Sequence, residues 1–228
     1  MDDKPKQHPK AAEVKIKTMI LGTTVCKFEL PMIFVDDINE AYDKAKDLPA
    51  HNDDLAGKIK DEFLVNDILT DKMRGTFFGC FKQYLHQAQK PFWHCSLENA
   101  WINEMKAGEY NPLHYHASKV TDLGLSSILM LKRPESYGEE ITRKDSPSNG
   151  WLELTGGQQD PISISQMRID AKVGEFYVFP YTMLHGVYPF TGPGIRRTLS
   201  YNCNLYKDAV VRQQMDKKIA EADKNVKK

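Results

Sequence analysis

The chain has no CxxC pair. Its four cysteines, Cys26, Cys80, Cys95 and Cys203, are widely scattered. A zinc ribbon is therefore excluded, and reduced thiols in a cytoplasm are expected. The opening residues lack the basic then apolar pattern of a secretory leader. No apolar run approaches the length of a transmembrane helix, the longest being broken by charge within about a dozen residues. Neither sign of charge dominates, with 31 Lys and Arg against 31 Asp and Glu. That balance gives no electrostatic reason for a nucleic-acid or anionic-membrane partner. No internal repeat recurs at a fixed period, and Gly156-Gly157 lacks the following helix that would make a phosphate loop.

What is present is an ordinary globular composition, 41% apolar and 27% charged over 228 residues, enough to bury a sizeable core. Residues 1–12 (MDDKPKQHPKAA) are polar with two prolines and read as a disordered tail. Residues 13–228 read as a single domain. Its 13–94 part carries strands and helices that pack on a sheet, 95–205 is the β core, and 206–228 is a C-terminal helix or tail. Val14–Phe28 predicts one or two strands, and Asp36-Asp37-Ile38-Asn39 offers an N-cap for a helix to about Leu48. Asn52–Glu62 predicts a second short helix. Asp67–Gln89 predicts a longer one, with Met73, Phe77, Phe78, Phe81, Tyr84 and Leu85 at helical spacing as core. From Cys95 onward, strands are expected near 97–106, 111–117, 124–132, 150–155, 162–169, 174–179, 186–189 and 196–205. Many short strands separated by turn signals argue a sandwich or a barrel. The long polar stretch 133–149 has the length of a functional lid.

Chemistry concentrates in Tyr110-Asn111-Pro112-Leu113-His114-Tyr115-His116. Two histidines one residue apart share a face if the segment is extended. His185, just past the strand-like Gly174–Pro180, can join them in a facial metal site with open coordination positions, of the kind used by non-haem Fe(II) enzymes. Farther along, period-two parity gives Arg196, Thr198, Ser200 and Asn202 one face of a strand, and Arg197, Leu199, Tyr201 and Cys203 the other. The first face is polar throughout, which a water- or ligand-filled pocket would satisfy. Arg196 can then hold a carboxylate with Ser200 beside it, while the opposite parity would put Arg197 inside. Trp101 and Trp151 read as core aromatics.

Taken in order, W-x-N at Trp101 and Asn103, G-E-Y-N-P-x-H-x-H from Gly108 to His116, F-P at Phe179-Pro180 with H-x-V-x-P from His185 to Pro189, and R-R-x-L-S-x-N from Arg196 to Asn202 resemble the 2-oxoglutarate and Fe(II)-dependent oxygenases. The likeness is to a small group of these found in marine phages and bacteria, more distantly similar to prolyl hydroxylases. It covers about residues 95–205. The resemblance implies a mainly β fold with N-terminal helices, a cupin-like double-stranded β-helix or jelly roll, with Fe(II) at its mouth and 2-oxoglutarate and dioxygen as cosubstrates. His114, His116 and His185 would be the catalytic metal ligands. Arg196, Ser200 and Asn103 would bind the cosubstrate. Asn103 and Asn202 line the substrate side, with structural hydrogen bonding as the alternative. The wider superfamily has a carboxylate where this chain has His116, so either His116 ligates or Asp122 bends in. A peptidyl or prolyl side chain is the substrate that analogy offers. Two rivals share the histidines: a three-histidine cupin dioxygenase without 2-oxoglutarate, and a metal-binding jelly roll without turnover.

Overall fold

The structure, a computed structural model, describes residues 22–51, 58–118, 120–157, 164–209, 213 and 217. The tail expected over 1–12, residues 14–21 of the first strand region and most of the C-terminal stretch lie outside them. In chain order the strands and the two longer helices are β1 Cys26–Glu29, α1 Met32–Lys44, β2 Asp61–Leu64, α2 Asp71–Gln87, β3 His94–Met105, β4 Asn111–His114, β5 Gly124–Lys132, β6 Leu152–Thr155, β7 Gln166–Ile169, β8 Glu175–Pro180, β9 Leu184–Val187 and β10 Arg196–Tyr206, with a 3-10 turn at Asn66–Ile68 and helical backbone at 209, 213 and 217. The strands form two antiparallel sheets. The larger runs β1-β8-β5-β10-β3-β2 and the smaller β4-β9-β6-β7. The fold is a jelly roll with helices on its outer face.

Two cores account for this layering. Between helices and larger sheet, Phe77 of α2 is fully buried, its ring 5.3 Å from Phe176 and from Tyr201 and 5.4 Å from Phe34 of α1. Between the sheets lie Leu152, Leu154, Phe179, Met130 and Phe190. Strand β5 is sandwiched between both cores, which is why its residues are buried without alternation from Gly124 to Leu131.

Helix α2 follows its apolar stripe closely. Thr70 caps it by accepting a hydrogen bond from the Met73 N–H at 3.2 Å, and Met73, Phe77, Phe81, Tyr84 and Leu85 are buried. Phe78 lies off the stripe and is 37% exposed. Helix α1 begins at Met32, straight after Pro31, well before the Asp36–Asn39 cap expected from sequence. Phe34, Val35, Ile38 and Tyr42 form one face, and burying that face outweighs the capping preference of the two aspartates, which are exposed inside the helix. The helix expected over Asn52–Glu62 falls partly outside the described residues, and its last two residues are strand. Asp61 and Glu62 pair with Glu104 and Asn103 of β3. Edge pairing there overrides a composition that reads as a solvated helix.

The 133–149 stretch is not an open lid. The Tyr137 carbonyl accepts N–H bonds from Thr191 and Gly192 at 3.1 and 3.0 Å. Glu140 is held by the Ser148 and Asn149 N–H groups at 2.8 and 3.2 Å. Burial alone would raise the Glu140 pKa, but these donors and Thr142 outweigh it and hold the carboxyl at about 2. Among the described residues no helix is long and apolar enough to cross a membrane.

Candidate metal centre

Strands β4 and β9 are hydrogen-bonded neighbours, and their register places His114 directly opposite His185. Their rings are 4.3 Å apart, centre to centre. Close approach of the two strands depends on Gly186, where a Cβ would sit 2.8 Å from the Asn111 carbonyl oxygen. His116 lies two residues beyond His114 and so returns to the same face. Its N–H donates to the carbonyl of buried Tyr181 at 3.0 Å. The Tyr181 hydroxyl in turn reaches Glu98 and Asn204 at 3.2 and 3.1 Å.

The ligand-capable nitrogens of His114, His116 and His185 all lie within 4.8 Å of one another. His114 directs Nδ1 at the Pro112 carbonyl, 2.7 Å away, and His185 directs its own at the Met183 carbonyl, 3.0 Å away. Each thereby turns Nε2 inward. The His116 and His185 Nε2 atoms are 3.1 Å apart. Two imidazoles at right angles on one ion, each at about 2.1 Å, would stand about 3.0 Å apart. The spacing therefore fits a divalent cation between them. Asp122 is exposed and outside this cluster, so among the described residues the grouped ligands are three imidazoles and no carboxylate.

The cavity beside them is lined from the larger sheet by Trp101, Asn103 and Met105 of β3 and by Arg196, Thr198 and Ser200 of β10. These residues face each other in register across the strand pair. Arg196 is 2% exposed; its Nε donates to the Gly150 carbonyl at 2.9 Å, while its Nη2 has no partner. Burial lowers its pKa, and contact with Tyr137 pulls it back. A buried guanidinium donor left open in a cavity is costly unless an acceptor arrives. A carboxylate of a small diacid is such an acceptor. Arg197 turns the other way, into Glu104, Asn39 and Asp43 at 2.7, 2.9 and 2.7 Å, and lies 4.6 Å over the Tyr42 ring. It ties α1 to the sheet.

Residues 99–202 match the family model described as "Putative 2OG-Fe(II) oxygenase". That match spans a little under half of the chain. The chain is similar in fold to the viral collagen prolyl hydroxylase of Paramecium Bursaria Chlorella virus-1 in its 2OG complex, at 16% identity and a TM-score of 0.52 over 78% of this chain and 94% of that one. It is likewise similar to a Pseudomonas putida prolyl-4-hydroxylase, at 14% identity and 0.53 over 80% and 92%. A third likeness is to the Trichoplax adhaerens prolyl hydroxylase in complex with a hypoxia inducible factor oxygen degradation domain peptide fragment, at 10% and 0.52 over 79% and 83%. No curated protein matches the chain. The matched family takes its description from 2-oxoglutarate and Fe(II), and the three grouped imidazoles are of a kind that can hold a metal ion.

Electrostatics at the three imidazoles suit a cation. Burial, then the His114 and His51 imidazoles, push the His116 pKa down to about 3. Burial and its two partners take His185 well below its usual value. Burial also lowers His114, with the Pro112 carbonyl opposing it. Neutral imidazoles are what a metal requires.

Three residues here have a larger part in the site than the sequence suggests. Trp101 is both core and cavity wall, its ring 5.3 Å from His51 and 5.7 Å from His116. Asn111, read only as part of the motif, lines the cavity with an unpartnered Oδ1. Glu62 is 1% exposed, registered beside Asn103, with neither carboxylate oxygen partnered. Burial, then the Glu109 charge, raise its pKa to about 7. A raised carboxyl binds its proton more tightly in the folded state. Its contribution is therefore full below about 4.5 and is lost as pH rises through about 7. Glu62→Gln is accordingly expected to stabilise the protein by about 1–3 kcal/mol at pH 8 and to change little at pH 4.5. Thermal unfolding of both proteins at the two pH values checks this; equal shifts at both would show that Glu62 is not buried as a neutral acid.

Proposed function

We propose that the chain is an Fe(II)- and 2-oxoglutarate-dependent hydroxylase. In this reading His114, His116 and His185 hold the metal through Nε2. Arg196 and Ser200 take the far carboxylate of 2-oxoglutarate, with Asn103 beside them. The observation that carries it is the open Nη2 of buried Arg196 in the same cavity as three converging imidazoles.

Fe(II) with 2-oxoglutarate supplies dioxygen activation, with succinate and carbon dioxide as products and one oxygen atom for a substrate C–H bond. The chain's own residues position and shield. The carbonyls of Pro112 and Met183 fix the tautomer and tilt of two imidazoles. Arg196 supplies a cation in a water-poor cavity, where it attracts a carboxylate more strongly than it would in bulk solvent. Trp101, Met105, Ile128 and Val187 close the walls and limit solvent around the metal.

A peptidyl side chain, prolyl first, is the substrate class to test, since the solved structures named above are prolyl hydroxylases. Four free thiols fit a reducing compartment such as the cytoplasm. The all-histidine ligand set is shared by dioxygenases that need no 2-oxoglutarate, but such an enzyme does not need Arg196 and Ser200 for a cosubstrate carboxylate. Release of succinate from 2-oxoglutarate by the Fe(II)-loaded protein decides between them. Succinate should form, and form faster with a suitable prolyl peptide; dioxygen uptake without any succinate would favour the other reading.

A further inference from the structure

We propose that Glu98 is a positioning residue for the metal centre, its carboxylate fixing the segment that carries His116 against the turn that leads to His185. The proposal rests on the three-histidine reading above. His116 lies two residues past the end of β4, outside the β4–β9 ladder. Its N–H is held by the Tyr181 carbonyl at 3.0 Å, and Tyr181 itself lies just past the end of β8. Two ligand-bearing segments thus meet where no strand ladder sets their spacing.

Both sides of that junction hang from Glu98. Its Oε1 accepts from the Ser118 hydroxyl at 3.0 Å, two residues past His116. Its Oε2 accepts from the Tyr181 hydroxyl at 3.2 Å, four residues before His185. Glu98, Ser118, His116 and Tyr181 therefore form a closed loop of chain and hydrogen bonds, which leaves the two segments little freedom to slide past each other. Asn204 of β10 ties the loop to the larger sheet, donating to Glu98 Oε1 at 3.0 Å and lying 3.1 Å from the Tyr181 hydroxyl. A carboxylate carries no hydrogen of its own and can take several donors at once.

The backbone turns Glu98 toward these partners by a bulge. In the β3–β10 ladder Ala100 faces Tyr201 and Leu97 faces Cys203, so β3 sets Glu98 and Asn99 against Asn202 alone. Leu97 and Ala100 both pack in the core beneath the helices, although strict alternation would put residues three apart on opposite faces. The extra residue lets those two stay in the core while Glu98 reaches Ser118, Tyr181 and Asn204. The Tyr181 ring lies against Gly124, where a Cβ would come within 1.9 Å of it. Any side chain there would push the ring, and its hydroxyl, out of place. Glu98 acts on the ligands through Ser118 and Tyr181, as outer partners of metal ligands do.

Mn(II) affinity, the visible spectrum of the Co(II)-loaded protein and thermal unfolding test this on the full chain. The proteins compared are wild type, Glu98→Ala, Tyr181→Phe, the double variant and Arg197→Ala. Glu98→Ala should bind Mn(II) about 10- to 100-fold more weakly and shift the Co(II) bands. Tyr181→Phe removes one hydroxyl and keeps the ring and the carbonyl, so it should lose less. It carries the test if Glu98→Ala does not fold. The double variant should lose less than the two single losses multiplied, because both cut the same loop. Arg197→Ala removes stability by loosening α1 from the sheet and should keep wild-type Mn(II) affinity and Co(II) bands. Wild-type affinity and bands in Glu98→Ala, or in Tyr181→Phe where Glu98→Ala does not fold, would overturn the role of Glu98. So would fully multiplied losses in the double variant, or an equal loss in Arg197→Ala. A wild type that binds no Mn(II) would overturn the metal centre itself, and this proposal with it.

Discussion

Arg196→Ala should weaken 2-oxoglutarate binding by roughly two to three orders of magnitude, because truncating one partner of a buried charged pair costs about 2–5 kcal/mol. The same change should leave the free protein at least as stable as before. Arg196 is 2% exposed, makes its Nε bond to the Gly150 carbonyl, contacts Tyr137 and leaves Nη2 open. Removing an unpaired buried cation does not destabilise a fold in the way that breaking a pair does. Arg197→Ala is the control from the adjacent position and should behave in the opposite sense. Its guanidinium binds Glu104 and Asp43 and covers Tyr42. Since the Asp43 side chain is 60% exposed, solvent screening limits that loss to about 1–3 kcal/mol of stability, with little change in 2-oxoglutarate affinity. Titration calorimetry with 2-oxoglutarate and thermal unfolding on both variants separate the two effects. An Arg196→Ala protein with unchanged cosubstrate affinity would falsify its role.

His185→Ala carries the second large effect, a loss of metal binding by more than about 100-fold and of metal-dependent turnover with it. Of the three imidazoles His185 is the most buried, at 3% exposure, and it stands between the others: opposite His114 in the ladder and 3.1 Å from His116 Nε2. Without it, two ligands remain on one short strand and the loop after it. That loss far exceeds the 10- to 100-fold typical of an outer partner of a metal ligand. Its ring packs 4.7 Å from Phe179, so some stability is lost as well. Metal affinity and unfolding temperature must therefore be measured on the same preparation. A folded His185→Ala protein that binds Mn(II) as tightly as wild type would show that the metal sits elsewhere.

Much of this arrangement was legible in the sequence because it depends on parity. Period two places His114 with His116 and Arg196 with Ser200, and both pairs lie on the cavity side. The largely apolar run Leu123–Leu131 pointed to a buried strand, although Leu123 itself stays 38% exposed at its start. Other features depend on tertiary context that a local pattern does not carry. Strand β2 hides in Asp61-Glu62-Phe63-Leu64, whose charges resemble a surface helix until β3 pairs with it. With β2 unseen, the acid at Glu62 had no face to be buried on. The 133–149 stretch looked like a lid by length and polarity, yet its polarity is used inwardly, in the bonds of Glu140 to the Ser148 and Asn149 N–H groups.

A crystal structure of the Mn(II)-loaded protein with N-oxalylglycine, an unreactive analogue of 2-oxoglutarate, is the most direct measurement. One ion should be bound by Nε2 of His114, His116 and His185, with the analogue's far carboxylate within hydrogen-bonding distance of Arg196 Nη2. An ion held by Asp122, or an analogue whose carboxylate avoids Arg196, would contradict the account.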